Sequence, residues 1–153
     1  MEIIEKIKRV VWNRTTYRLG LLQTKAYRIL KNHTDEALSQ YSLSSVDWAI
    51  LGLLHDNREG LRSKEVADEL GVEAPFVTTL CSKLEKIKFV TSHVNSIDSR
   101  AKNIQLTSKG HEFVSSTEEH IHNHMKKLLR GTKSDDLLSY IAVLEKIIEN
   151  GTK

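Results

Sequence analysis

The sequence is poor in the residues that mark disulfide-bonded, loop-rich or repetitive proteins. Its 153 residues include one Cys, one Pro and seven Gly, and aromatic residues make up only 6%. A single Cys excludes an intrachain disulfide, and it also excludes a zinc site built from Cys pairs within one subunit. Such low Pro content, combined with long apolar periodicities, favours a mainly helical fold.

Long apolar runs and a secretory signal are also missing. No stretch approaches the about 20 apolar residues that span a bilayer, and the first 20 residues show no small-residue cleavage site. We therefore expect a cytoplasmic protein without a membrane-spanning part. The net charge of +3 is compatible with nucleic-acid binding but does not identify it.

The most informative pattern lies between residues 61 and 110. Ser63 is placed to cap a helix over Lys64–Leu70, and Gly71 suits the left-handed turn that would follow. A second helix should start near Pro75, because proline is tolerated in the first turn of a helix. Two short helices joined by a glycine turn form a helix-turn-helix unit.

The second of these helices should have one buried and one exposed face. The apolar residues at helical spacing, which should point inward, are Val77, Leu80, Cys81 and Leu84. The outward residues are Pro75, Phe76, Thr78, Thr79, Ser82, Lys83 and Lys86. This outer face contains no acid, so its hydroxyls could meet base edges in a major groove while its lysines meet phosphates.

A polar hairpin should follow the second helix. Residues 89–94 and 103–106 alternate with a period of two, which predicts two strands joined by a polar tip over residues 95–102. Leu61 or Arg62 could add a short third strand. A hairpin in this position is a wing, and Arg100 and Lys102 at its tip could reach a minor groove or the DNA backbone.

This region resembles the MarR family of bacterial winged helix-turn-helix regulators. The motifs that carry the resemblance are SKEVADELGV, FVTTLCSKLEKIKFV and DSRAKNIQLTSKG. The sequence departs from the usual family pattern at Thr79, where an Arg is common, at Lys88, where a Gly is frequent, and at Glu73-Ala74. The resemblance implies one domain over residues 1–153, in which dimerisation helices at 1–41 and 111–153 flank a winged helix-turn-helix at 42–110.

The central helix of that unit should begin after Ser44-Ser45 and close at Asp56-Asn57. It is apolar on most sides, so we expect it to be buried. After Gly110 another long helix should run to Gly131, and Ser134 should cap a last one. The apolar stripe of the last helix is Leu137, Leu138, Ile141, Leu144, Ile147 and Ile148.

The two ends of the chain should pair with a second subunit. Residues 2–41 are expected to be helical, in one piece or in two joined near 13–16, and the basic residues of this stretch are also compatible with a membrane surface. Together the end helices carry more apolar surface than a small winged domain can cover. A two-fold homodimer is the commonest way to cover such a surface, and the family resemblance implies the same.

The resemblance also implies a function. Family members are sequence-specific regulators, most often repressors, and a homodimer should bind a pseudo-palindromic operator in double-stranded DNA. The residues expected at the DNA interface are Ser63, Lys64, Pro75, Phe76, Thr78, Thr79, Ser82, Lys83, Lys86, Asp98, Arg100 and Lys102. Among these, Asp98 would orient Arg100 at the wing tip.

A small-molecule effector is implied by the resemblance as well, bound between the winged unit and the dimer helices. The weak candidates for its pocket are Tyr17, Tyr41, Trp48 and His55. No cofactor motif and no catalytic motif are present, so neither a cofactor nor an enzymatic activity is expected. Cys81, on the inward face of its helix, is expected to act as a small buried hydrophobe and not as a redox switch.

Two alternatives remain open at this point. His120 and His124 lie one helical turn apart, a spacing that suits a metal, so the protein could be a metal-responsive regulator. It could also be a winged-helix module for protein contacts, although the acid-free outer helix face argues against that. Selecting bound DNA from a random pool tests the protein-contact alternative, and the metal content of the purified protein and the effect of a chelator on DNA affinity test the metal-responsive one.

Overall fold

The computed structural model describes residue 5 and residues 16–94 and 102–152. These residues form six helices and three strands, which confirms the predicted mainly helical, winged helix-turn-helix class. The elements are α1 (Thr16–Leu38), α2 (Ser45–Asp56), β1 (Leu61–Arg62), α3 (Ser63–Leu70), α4 (Ala74–Lys86), β2 (Val90–Val94), β3 (Lys102–Leu106), α5 (Ser108–Leu128) and α6 (Ser134–Gly151). A short 3-10 turn, Ser39–Tyr41, follows α1.

The three strands form a small antiparallel sheet in the order β1-β3-β2. Ile104 in the central strand is paired with Leu61 on one side and with Ser92 on the other. The short third strand expected at Leu61 or Arg62 is therefore confirmed. The sheet packs the wing against the helix-turn-helix unit and fixes where the hairpin leaves the body of the protein.

The core surrounds α2. Ile50, Leu51 and Leu54 are fully buried, as expected for a helix that is apolar on most sides. The buried apolar residues of the described chain are Ala37, Leu38, Leu43, Ile50, Leu51, Leu54, Val66, Ala67, Val77, Cys81, Leu84, Phe89, Val90, Ile104, Leu106, Val114 and Ile121. The inward face predicted for the second helix of the unit is confirmed by Val77, Cys81 and Leu84.

Three helix starts differ from the sequence prediction. Ser44 caps α2 as expected, but Ser63 and Ser134 are the first residues of α3 and α6, not their caps. At α3 the Glu65 carboxylate accepts the backbone N–H of Arg62 at 2.6 Å. This acid, three residues after Arg62, therefore caps the start of the helix in place of a serine hydroxyl. The third difference is α5, which begins before Gly110 and not after it.

Gly110 lies in the first turn of α5, where the helix touches the sheet. Thr107 caps this helix, and its hydroxyl oxygen accepts the backbone N–H of Gly110 at 3.1 Å. A Cβ atom at position 110 would lie 2.2 Å from the carbonyl oxygen of Phe89. Only glycine permits this close approach of helix and strand, so Gly110 is a packing residue and not a helix boundary.

The outer helices pack poorly within the chain. No side chain of α6 is buried, and the first half of α1 exposes Tyr17, Leu19, Leu21 and Leu22 by half or more. The exposed large apolar residues of α6 are Leu138, Tyr140, Ile141, Val143, Ile147 and Ile148. A hydrogen bond joins the two helices at 3.0 Å, from the Tyr140 hydroxyl to the Gln23 side-chain oxygen. Of the helical stretch predicted over residues 2–41, the part before Thr16 lies outside the described residues, apart from position 5.

Candidate nucleic-acid interface

The turn between α3 and α4 orients the candidate reading helix. Gly71 adopts a left-handed conformation with φ of 64°, and the backbone N–H of Val72 donates to Ala67 at 3.0 Å. Pro75 is the second residue of α4, so the missing N–H costs no helical hydrogen bond. Leu80, which was expected to face inward, is half-buried and packs against the core.

The opposite face of α4 is exposed. The predicted outward residues Pro75, Phe76, Thr78, Thr79, Ser82 and Lys86 are all exposed. Phe76 leaves 47% of its surface accessible. Lys83 is exposed as well, so the described structure places all seven predicted outward residues at the surface.

Three hydroxyls on this surface already donate hydrogen bonds within their own helix. The side chains of Thr78, Thr79 and Ser82 each donate to the helix carbonyl four residues earlier, at 3.1, 3.1 and 2.9 Å. A hydroxyl that donates its single proton keeps its lone pairs for acceptance. In this arrangement α4 offers hydrogen-bond acceptors and methyl groups outward.

Lys83 differs from the other outward residues because its charge is already paired. Its ammonium lies 2.6 Å from Oδ2 of Asp47, a fully buried carboxylate in the first turn of α2. Sequence reasoning missed this contact. The Ser44-x-x-Asp47 spacing indicates a cap, but nothing in it indicates burial or a partner 36 residues away.

A narrow cleft runs between α4 and the sheet. Its lining brings together Ser63, Thr78, Ser82 and Lys102, four of the residues predicted to contact DNA. Glu85 also lines the cleft, so one acid adjoins the surface that the sequence suggested to be acid-free. Lys64 is exposed nearby at the start of α3.

The wing is described as far as its strands. Val94 at the end of β2 is paired with Lys102 at the start of β3, and Lys102 is exposed. Asp98 and Arg100, predicted at the wing tip, lie outside the described residues. Ser92 and Lys102 of the two strands line the cleft beside α4.

Cys81 faces the interior, as predicted. Burial raises the pKa of its thiol to about 11, and the negative charges of Glu85 and Asp47 act in the same direction. A thiol with so high a pKa carries almost no thiolate at neutral pH. Its place in the core is therefore that of a small apolar side chain.

The four candidate effector residues do not converge. Tyr41 and Trp48 both contact the ring of Phe113, with ring centroids 5.0 and 6.3 Å apart. His55 instead faces His111, with the two Nδ1 atoms 3.2 Å apart, and Tyr17 is 71% exposed on α1. Among the four, His55 lines a cavity of the described chain, beside Gly52 and Glu118.

The two histidines predicted as possible metal ligands do lie together. The rings of His120 and His124 are 4.8 Å apart, and Nε2 of His120 lies 3.3 Å from the side-chain nitrogen of Gln40. Within the described ranges, no group of three or more His, Cys, Asp or Glu side chains is arranged to hold a metal ion. The same residues include no helix long and apolar enough to cross a membrane.

Solved structures share this architecture. A MarR-family transcriptional regulator from Rhodococcus sp. RHA1 superimposes with a TM-score of 0.81 at 18% identity, covering 89% of this chain and 96% of that one. The Staphylococcus aureus MepR–DNA complex gives a TM-score of 0.73 at 24% identity, with 86% and 96% covered. No family model matches the sequence.

A third similar structure contains a ligand. CouR from Rhodococcus jostii RHA1, crystallised with p-coumaroyl-CoA, has a TM-score of 0.78 at 18% identity, covering 85% of this chain and 91% of that one. The three similarities extend over nearly the whole length of those proteins. At 85–89% of this chain, they extend well beyond the winged unit.

Proposed function

We propose that this chain, which has the fold of the MarR-family transcriptional regulators, is a homodimeric, sequence-specific DNA-binding regulator of the cytoplasm. The observation that carries the proposal is the exposed outer face of α4, on a scaffold similar to one crystallised with DNA. That face is rich in hydroxyls and lysines, with Glu85 as an acid beside it, and its hydroxyls donate only to their own helix. We do not propose a catalytic role.

In the proposed complex, α4 enters the major groove. Because the hydroxyls of Thr78, Thr79 and Ser82 donate to their own helix, they would accept from base donors such as adenine N6 or cytosine N4. The threonine methyls and Pro75 suit the methyl group of thymine. Lys64, Lys86 and Lys102 would contact phosphates, and Ser63 would add a hydroxyl contact in the cleft.

The wing is proposed to read a second region of the DNA. Ser92 and Lys102 of its strands line the α4 cleft, which supports a role for the wing beside the major groove that α4 would enter. Arg100 would enter a flanking minor groove, where a narrow A·T-rich segment concentrates negative potential, and Asp98 would orient it. An Arg100→Ala variant should then lose about 1–3 kcal/mol of binding free energy.

Dimerisation is proposed through the end helices, residues 1–41 and 111–153, around the winged unit at 42–110. The exposed apolar side chains of α6 and of the first half of α1 are the basis for this assignment. Two-fold symmetry would place two α4 helices about one DNA turn apart. The operator should then be a pseudo-palindrome with half-sites ~10 bp apart, centre to centre.

A small-molecule effector that releases the DNA, making the protein a repressor, is proposed by analogy with the ligand-bound CouR structure. Of the four sequence candidates, His55 has the best support because it lines a cavity between α2 and α5. Tyr41 and Trp48 pack on Phe113 and so would act in such a site only if this aromatic cluster opened.

Selection from a random DNA pool tests the proposal. The purified full-length protein should enrich pseudo-palindromic sequences, and a chelator should not alter its affinity for them. Failure to enrich any sequence while the protein is dimeric would contradict the proposed function. A chelator-sensitive affinity would instead favour a metal-responsive regulator acting through His120 and His124.

A matched pair of variants tests the role of α4. Thr79→Glu places a charge on the proposed reading face and should weaken DNA binding at least about 100-fold, since juxtaposed like charges cost several kcal/mol. Ser116→Glu makes the equivalent change on an exposed turn of α5, where the serine hydroxyl also donates to its own helix. It should leave the affinity within about 3-fold.

A further inference from the structure

Asp47 is the one fully buried charged side chain in the described part of the structure. It lies in the first turn of α2, directly under the reading helix α4. Charged side chains are almost never buried completely unless they are paired. The cation that pairs with Asp47 is therefore not free to contact DNA, if it comes from α4.

The contacts of Asp47 converge on one of its two carboxylate oxygens. Oδ2 accepts the backbone N–H of Ser44 at 2.8 Å, the Ser44 hydroxyl at 2.8 Å and the Lys83 ammonium at 2.6 Å. Oδ1 is buried and has no hydrogen-bond partner among the described residues. Across those residues, Lys83 is also the only cation within 4 Å of the carboxylate.

Lys83 stands between two anions in the proposed complex. About half of its side chain is exposed, so its ammonium could in principle turn from Asp47 toward a DNA phosphate. That move would leave a buried carboxylate uncompensated, and the cost of this exceeds the gain from one further lysine–phosphate contact. The balance favours the contact with Asp47.

We propose that Asp47 withholds Lys83 from the DNA backbone and thereby limits the sequence-independent part of binding. This inference rests on the proposed function and revises the expectation that Lys83 holds a phosphate. The reading helix then contacts phosphates through Lys86, while Lys83 fixes α4 to α2. A larger share of the affinity comes from base contacts, so Asp47 acts as a specificity-determining residue through Lys83.

Salt dependence distinguishes this role from a merely structural ion pair. The affinity of a protein for duplex DNA falls with salt in proportion to the number of phosphates it neutralises, with a slope of about −0.9 for each. An ion pair that only stabilises the fold leaves this slope unchanged when it is removed. A lysine that is released to the backbone makes the slope steeper.

The experiment uses the full-length dimer and a mixed-sequence duplex, with binding measured over a series of KCl concentrations. Lys86→Gln should make the slope shallower by about 1.8, because each subunit loses one contact. Lys83→Gln should leave it unchanged. Asp47→Asn should make it steeper by about 1.8 and raise the affinity for mixed-sequence DNA several-fold, and Asp47→Asn/Lys83→Gln should restore the wild-type slope.

Asp56→Asn is the matched control. Asp56 lies at the exposed end of the same helix, so this variant gains the same charge without releasing Lys83. The asparagine oxygen at position 47 can still accept from Ser44, which preserves the cap of α2. Thermal unfolding and sedimentation establish that each variant is a folded dimer.

Two results would overturn the inference. One is a slope for Asp47→Asn equal to that of Asp56→Asn while the wild type binds DNA. The other is a salt slope that becomes as shallow in Lys83→Gln as in Lys86→Gln. This comparison tests the inference even if Asp47→Asn does not fold. A wild-type protein that binds no duplex at all would overturn the proposed function itself.

Discussion

Helices α2 and α6 are both rich in apolar side chains, but the structure treats them in opposite ways. In α2 the residues Ile50, Leu51 and Leu54 are fully buried, whereas in α6 no side chain is buried and Ile148 is 64% exposed. A helix with an apolar stripe of this length gains most of its stability in water by packing the stripe against another apolar surface. The difference shows that α2 is packed within its own chain, and it supports the proposal that α6 packs against a second subunit.

Charging the α6 stripe should produce the largest effect. The double variant Ile141→Asp/Ile148→Asp removes four isoleucines from the proposed two-fold interface, and each contributes about 1.5–3 kcal/mol when buried. The dimer dissociation constant, measured by sedimentation, should rise at least about 1,000-fold. The winged core should keep its helical circular dichroism signal and a cooperative thermal transition.

The opposite face of α6 provides the control for that variant. Ser139→Asp/Asn150→Asp introduces the same charges about half a turn away from the stripe. It should change the dissociation constant by less than about 5-fold, because exposed charges interact weakly through water. An unchanged dimer in the stripe variant would mean that α6 does not form the interface.

A cavity in the core should have the second-largest effect. Leu54→Ala removes a fully buried side chain and should lower the free energy of unfolding by about 3–5 kcal/mol. Leu138→Ala, at a position that is 64% exposed, should lower it by less than about 0.5 kcal/mol. Both substitutions are measured by urea unfolding in the Ile141→Asp/Ile148→Asp protein, where α6 no longer joins two subunits. Equal losses in the free energy of unfolding at the two positions would contradict the contrast between the helices.

Much of this contrast could be predicted from the sequence. Apolar residues on most sides of α2 indicated burial, while the stripe in α6 belonged to an end that a small winged unit could not cover. The period of two around residues 90–94 and 103–106 likewise predicted the wing strands. These features are local, because spacing along the chain alone decides which side chains share a face.

Other features depend on contacts between distant parts of the chain. The Asp47–Lys83 pair joins residues 36 positions apart, and the His55–His111 contact joins residues 56 apart. Gly110 looked like a helix boundary because glycine often marks one, but its purpose is the close approach to Phe89. No periodicity encodes such contacts, so only the folded chain reveals them.

Lys88 offers a smaller test within the winged core. It follows α4 with φ of 65°, a left-handed conformation that glycine adopts without steric cost, and the sequence already departs from the family pattern here. Lys88→Gly should raise the free energy of unfolding by about 0.5–1 kcal/mol. Lys126→Gly, inside α5, should lower the free energy of unfolding by about 1 kcal/mol. A change in the same direction at both sites would contradict the claim that the backbone at position 88 favours glycine.

The smallest effect should come from the imidazole pair between α2 and α5. Burial lowers the pKa of His111 below its usual 6.5, and the positive charges of His55 and Arg58 lower it further. Because the folded state then binds a proton less readily than the unfolded state, stability is present above pH 6.5 and is lost as the pH falls through 6.5 toward the folded-state pKa. Asp56 and Glu118, which line the cavity beside His55, would oppose this loss without reversing it.

A glutamine at position 111 cannot titrate, so its variant isolates this contribution. The free energy of unfolding of His111→Gln should fall less than that of the wild type between pH 7.5 and pH 5.5, whereas His122→Gln, at an exposed site on the same helix, should follow the wild type. Since the pair lies within one chain, the difference between wild type and His111→Gln should not change with protein concentration. If the difference between wild type and His111→Gln grew on dilution, the pH response would depend on subunit association. The winged core would then not be independent of the proposed dimer interface.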